Sequence, residues 1–167
     1  MSRRARTVRG IHGITLLASG LLAGAFGYGA ANLVPTFNAV PQDMRFSFHA
    51  ELMKINGITV QGAMIVTTLG SLTLAVLTRG RARVAAAAAS ALAFTSFLIT
   101  RFGNVPINAH IKRWAVSGPD PDTPELLRRW ELFNDARTAV GIAAFGVLIM
   151  IALRTRTYGL PDDQARP

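Results

Sequence analysis

The sequence predicts an all-α protein: a transmembrane four-helix bundle with short interfacial helices in its outer loops. Three observations carry that expectation. Half of the 167 residues are hydrophobic and only 16% are charged, whereas a soluble domain carries about a quarter charged residues. The charges crowd between long stretches that hold few or none. The arginines gather in alternate links, as they do when helices cross a membrane back and forth.

A helix needs about 20 residues to cross the hydrocarbon layer. One membrane domain over residues 1–167 is expected, with spans near 14–34, 56–78, 84–102 and 134–153. The first two spans carry no charge. The apolar part of the fourth, residues 139–153, is too short alone. The turn before it, Asn134-Asp135-Ala136-Arg137-Thr138, therefore continues the helix into the membrane edge. Polar groups at that depth are costly and belong on the bundle interior or in a wet cavity.

Orientation follows from arginine. Arg3, Arg4, Arg6 and Arg9 precede the first span, Arg79, Arg81 and Arg83 fill the link between the second and third, and Arg154, Arg156 and Arg166 follow the fourth. Only Asp162 and Asp163 oppose them. The other two connections mix both signs. The arginine side reads as cytoplasm, with both termini there and the bundle in the plasma membrane. A cleaved signal peptide would also have a basic start, an apolar middle and small residues such as Gly29-Ala30-Ala31. The first apolar run is long for that.

The net charge of +9 could serve nucleic acid or anionic lipid. The arginines flank apolar runs and form no basic face interleaved with aromatics, so lipid is the expected partner and nucleic acid is not. The chain has no cysteine, which excludes disulfides, thiolate metal sites and CxxC redox chemistry. No internal repeat stands out between the two halves.

Small residues recur where helices would approach closely. Gly20 and Gly24, then Gly27 and Ala31, are four apart on the first span. Residues 85–89, Ser90, Ala91 and Ala93 give the third span a slim face. These faces suit a homo-oligomer or another membrane protein as partner.

The outer connections are long and rich in polar and aromatic residues, and the longest spans 101–133. Asn104 suits a helix cap and Pro106 a first helical turn. Ile107, Ile111 and Trp114 then share one face, as a short interfacial helix anchored by Trp114 would require. Ser117-Gly118-Pro119 breaks that helix, and Thr123 with Pro124 opens the next. On this last helix Trp130, Asn134, Arg137 and Gly141 form one stripe. His49, Met53 and Asn56 form another on the approach to the second span, with Gln61 beyond. Inward-facing stripes would give an outer mouth holding His49, Asn56, Asn104, Asn108, His110, Trp114, Trp130, Asn134 and Arg137. An apolar pocket with a few convergent polar groups is the usual form of a small-molecule site. Taken singly, Arg137 and Trp130 also fit an ordinary snorkelling arginine and an interfacial tryptophan.

Metal chemistry has few donors. His49 and His110 lie on the outer side, His12 on the other, and no HxH or HxxxH spacing occurs. No metal or cofactor is expected; if a haem or metal were bound, His49 and His110 would be its ligand candidates. No motif marks a Ser-His-Asp nucleophile.

With these residues in view, the chain resembles the DUF1772, or anthrone oxygenase, family of small four-helix membrane proteins. The resemblance runs from the first span to the fourth. Its most specific part is Asn104-Val105-Pro106-Ile107-Asn108, then Trp114, then Trp130, Asn134 and Arg137. The glycine-rich first span ending at Pro35 and Met53-Lys54-Ile55-Asn56 also fit. The resemblance implies oxidation of an anthrone to an anthraquinone without a conventional redox cofactor, as some fungal members perform. An anthrone has an acidic methylene, so such an enzyme needs a base, a group to hold the developing oxyanion, and a dry cavity for dioxygen. His49 or His110 would be the base. Arg137, with Asn104, Asn108 or Asn134, would hold the oxyanion, and Trp114 and Trp130 would stack on the polycycle. The expected function is a membrane oxidoreductase acting on a lipophilic aromatic or quinone-like molecule. The alternative is a non-catalytic binding or accessory protein packed against another membrane protein. A transporter fits less well, because the inner side has no matching polar constellation.

Overall fold

Each apolar run becomes the middle of a helix longer than the run itself. The computed structural model describes residues 3–155, and among them there is helix and short connection with no strand. Helix α1, Arg3–Tyr28, passes through a π-helical turn, Gly29–Leu33, into α2, Val34–Ala39. Helix α3 is Gln42–Leu77. Helix α4, Gly80–Ile99, passes through a second π turn, Thr100–Asn104, into α5, Val105–Ser117. Helix α6 is Thr123–Thr155. Read through the π turns, four rods are long and apolar enough to cross a membrane: Arg3–Ala39, Gln42–Leu77, Gly80–Ser117 and Thr123–Arg154. Helices suit that medium because their backbone hydrogen bonds are satisfied internally. Arg156, Asp162, Asp163 and Arg166, read above as a cytoplasmic tail, lie outside the described residues.

The breaks between rods have local causes. Helix α2 ends at Val40, whose backbone is extended (φ −102°, ψ 161°), because the following Pro41 disfavours helix in the residue before it. Gly118 ends α5 at φ +83°, a region open to glycine. The α3–α4 link is closed by arginine. The Arg83 Nε donates to the carbonyls of Ala75 and Thr78 at 3.2 and 3.0 Å, and Arg4 donates to that of Leu77 at 3.2 Å. Carbonyls left free at a helix C-terminus thereby gain partners.

Two readings of the long connection are corrected. Asn104 is no cap: its backbone is helical, and its amide nitrogen donates to the Trp130 carbonyl at 3.0 Å. Trp114 is no interfacial anchor: it is buried against Phe46, and its indole N–H reaches Asp120 at 2.8 Å. Helix α6 does open at Thr123, whose hydroxyl accepts the Asp120 N–H at 2.8 Å and so closes the turn ahead of it. A helix start and a π turn followed by proline share the same local signature, Asn-Val-Pro, so spacing could not separate them.

A repeated element pattern also emerges. Each half has a helix, a π turn, a Val-Pro step and a second helix, then a break and a return helix. Val34-Pro35 and Val105-Pro106 occupy matching places. Proline lacks the N–H for a bond to residue i−4, and its ring crowds that carbonyl. The residues four back, Ala31 and Phe102, fall inside the two π turns. The halves share this backbone device while sharing little sequence, which is why no repeat stood out.

Packing is tightest where small residues meet large ones. A Cβ on Gly103 would overlap the Phe133 ring, one on Gly70 would overlap Thr15, and one on Gly20 would come within 3.1 Å of Phe145. Gly24 and Gly27 meet nothing within 4 Å, so the small face expected on α1 packs only at Gly20. On α4, Ala86, Ala89, Ser90 and Ala93 are buried while Ala87, Ala88 and Ala91 face outward. One core cluster, around Leu74, Ala86, Ala89, Leu148 and Ile151, closes the arginine-rich end. Another, Phe46, Ile107, Ile111, Trp114, Leu127 and Trp130, closes the opposite end beside a cavity.

Candidate ligand-binding site

All four rods line that cavity, whose volume is about 380 Å³, within the range of small-molecule pockets. The α1–α2 rod contributes Phe26, Gly29 and Phe37, and α3 contributes His49, Met53 and Asn56. Thr100 and Asn108 come from the α4–α5 rod, and Trp130, Asn134 and Arg137 from α6. The lining along α3 extends from His49 to Gln61, about 18 Å at the helical rise. Both π turns border the cavity, through Gly29 and Leu33 on one side and Thr100 on the other. Such turns recur at functional sites because the extra residue shifts which side chains face inward.

Aromatic contacts hold His49. Its ring stacks on Phe37, 4.9 Å between centroids at 15°, and meets Trp130 edge-on at 4.7 Å. Trp130 is itself fixed, because its indole N–H donates to Asn108 Oδ1 at 2.7 Å. Two turns further along α6, Arg137 lies over the Phe26 ring at 4.7 Å, and its Nη2 donates to Asn134 Oδ1 at 2.9 Å. Asn134 is thereby oriented with its NH₂ group free. Three buried atoms around the cavity lack partners within the protein: His49 Nδ1, Asn134 Nδ2 and Arg137 Nε. Buried polar atoms left unpaired are uncommon and costly. Three of them belong to residues that line this one cavity.

Of the residues singled out in the sequence, His49, Asn56, Asn108, Trp130, Asn134 and Arg137 line this cavity. Three do not. Asn104 is buried behind Trp130, and Trp114 belongs to the core. His110 sits in a separate, smaller groove with Phe102, Arg129 and Phe133. Its Nδ1 accepts from Arg113 Nη2 at 2.8 Å. His49 and His110 therefore occupy different pockets. Among the described residues, no three His, Asp or Glu side chains gather as a metal-holding group.

The structure adds residues that sequence reasoning passed over. Phe26 and Phe37 are cavity walls; along the chain the first read as an ordinary span residue and the second as part of an outer connection. Arg45 is buried, donates to Asn38 Oδ1 and pairs with Glu131 at 3.1 Å. It also lies 5.9 Å from the Phe37 ring. One turn before His49 on α3, it ties together α2, α3 and α6 at the cavity end. Its spacing from His49 was the only available signal.

Fold and site together define a multi-pass membrane protein with a ligand-sized, aromatic-walled cavity at one end of a four-helix bundle. The family model described as anthrone oxygenase matches residues 50–147, and the chain belongs to that family. The match takes in Asn56 through Arg137 and begins one residue after His49. Among curated proteins and among solved structures, none matches the chain.

Proposed function

We propose that this protein is a membrane-embedded oxygenase that takes a lipophilic aromatic ketone of the anthrone type to the corresponding quinone. The observation that carries the reading is one cavity that brings His49, Asn134 and Arg137 together with walls of Phe26, Phe37 and Trp130. A flat polycycle suits aromatic walls. A carbonyl oxygen that gains negative charge suits Arg137 and the free Asn134 amide.

In the reaction, His49 takes a proton from the methylene carbon, and the charge passes through the ring to the ketone oxygen. Arg137 and Asn134 stabilise that oxyanion. Dioxygen, the co-reactant, accepts an electron pair overall and forms a C–O bond at the former methylene carbon. The protonated His49 returns its proton to the resulting peroxide. Loss of the remaining hydrogen on that carbon with cleavage of the O–O bond releases water and leaves the second carbonyl. Ketone and dioxygen thus become quinone and water, with atoms and electrons balanced. A water-poor cavity protects the carbanion from reprotonation by solvent.

The test is oxygen uptake and quinone absorbance by detergent-purified protein given anthrone. Arg137→Gln should stay folded and lose about two to three orders of magnitude in kcat, as when an oxyanion donor is removed. Unchanged activity in Arg137→Gln would remove that role. No turnover and no bound aromatic in the native protein would favour a non-catalytic partner of another membrane protein.

A further inference from the structure

Along α1 and α3 the lining of the cavity reaches the outer surface of the bundle. There the lining runs over Ala25 and Gly29 on one rod and over Gly57 and Gln61 on the other. Ala25 and Gln61 are exposed although they line the cavity. They stand among exposed apolar residues, Leu21 and Tyr28 on α1 and Ile58 and Ile65 on α3. In a membrane such faces meet hydrocarbon.

The glycines in this wall are unlike those that serve packing. At Gly20, Gly103 and Gly141 an added Cβ would meet an aromatic ring; at Gly29 and Gly57 it would meet nothing within 4 Å. Glycine is a poor helix former, so Gly57 weakens α3 with no tight helix contact to explain it. What both glycines do is leave space in the cavity wall. The same lining includes Phe26, next to Ala25, which lies under the Arg137 guanidinium. Lys112 and Asn56, both exposed, also border the cavity.

We propose that the gap between α1 and α3 is a lateral portal, with Gly29 and Gly57 as its sill, through which the ligand enters from the bilayer and not from water. The portal rests on the reading that the cavity binds a lipophilic molecule, and it narrows the ligand class to compounds dissolved in the membrane. A flat molecule sliding over the two glycines presents its leading oxygen to Arg137 and Asn134, with its rings between Phe26, Phe37 and Trp130.

The chain has two tryptophans, and only Trp130 borders the cavity. Trp114→Phe therefore leaves a single reporter in it. Reconstitution into phosphatidylcholine vesicles with brominated acyl chains tests the portal without any assumed substrate, because bromine quenches indole on contact. Trp130 should be quenched, and Gly57→Leu should remove that quenching. Gly62→Leu, at an exposed glycine outside the cavity, should leave it in place. Should Trp114→Phe fold poorly, the same difference is read in the two-tryptophan chain, where Trp114 is buried away from lipid. An unquenched Trp130, or equal quenching in Gly57→Leu, would overturn the portal. Adding 9,10-anthraquinone to unbrominated vesicles separates the two claims. Quenching that sets in more slowly in Gly57→Leu supports both. Bromine quenching with no response to the quinone sustains the portal and sinks the anthrone reading.

Discussion

His49 and His110 looked equivalent along the chain, and their surroundings separate them. His49 is buried between Phe37 and Trp130 on the cavity, while His110 has its Nδ1 occupied by Arg113 in another groove. Phenylalanine at either position keeps an aromatic ring and removes the base. His49→Phe should lower kcat for anthrone oxidation by about two to four orders of magnitude, the usual worth of a general base. His110→Phe should remain near the native rate. Steady-state oxygen uptake distinguishes them, and equal losses in the two variants would remove His49 from its role. Arg137 illustrates the opposite case. Its type and its place at the start of an apolar run already marked it, because an arginine at that depth needs a partner. What the sequence could not supply was the partner: an asparagine one turn earlier and the face of a phenylalanine on another helix.

Among the helices, the four rods were legible because hydropathy and length suffice to recognise them. The kinks were not. A π turn ahead of proline looks like a helix start when only neighbouring residues are considered, and Asn104 was misplaced for that reason. The tie between α3 and α6 was equally hidden, since Arg45 reaches Glu131 across 86 positions of chain. This pair joins α3 to α6, and Asn38 brings in α2. Arg45→Met removes two polar contacts and one cation–π contact of a buried cation while keeping much of its bulk. The expected cost is about 1–3 kcal/mol, the penalty for polar groups left without their charged partner. It is read as a lower unfolding midpoint in detergent, and Glu131→Gln should cost less because a neutral bond to Arg45 survives. Equal stability in Arg45→Met would mean that α2 is held by apolar contact alone.

The two ends of the bundle differ in kind. One is closed by arginines that cap helix carbonyls and by small-residue packing. The other opens into a cavity. If the arginine end is cytoplasmic, as the charge asymmetry implies, the cavity opens on the outer side. The absence of cysteine makes this simple to check. A single cysteine at exposed Ser117 should react with an impermeant maleimide added to intact cells, and one at exposed Arg81 should react only after lysis. The reverse pattern would invert the bundle in the membrane and leave its fold untouched.

Helix number, the one-sided distribution of arginine and the polar character of one end could be read along the chain, because each depends on the composition of a contiguous stretch. The cavity could not. Its walls come from residues as far apart as Phe26 and Arg137, brought together by two π turns that change which side chains face inward. His110 and Trp114 had the right types and the right end of the molecule. They were turned away because helical phase and the packing of neighbouring rods decide which face of a helix looks inward, and no local spacing encodes that.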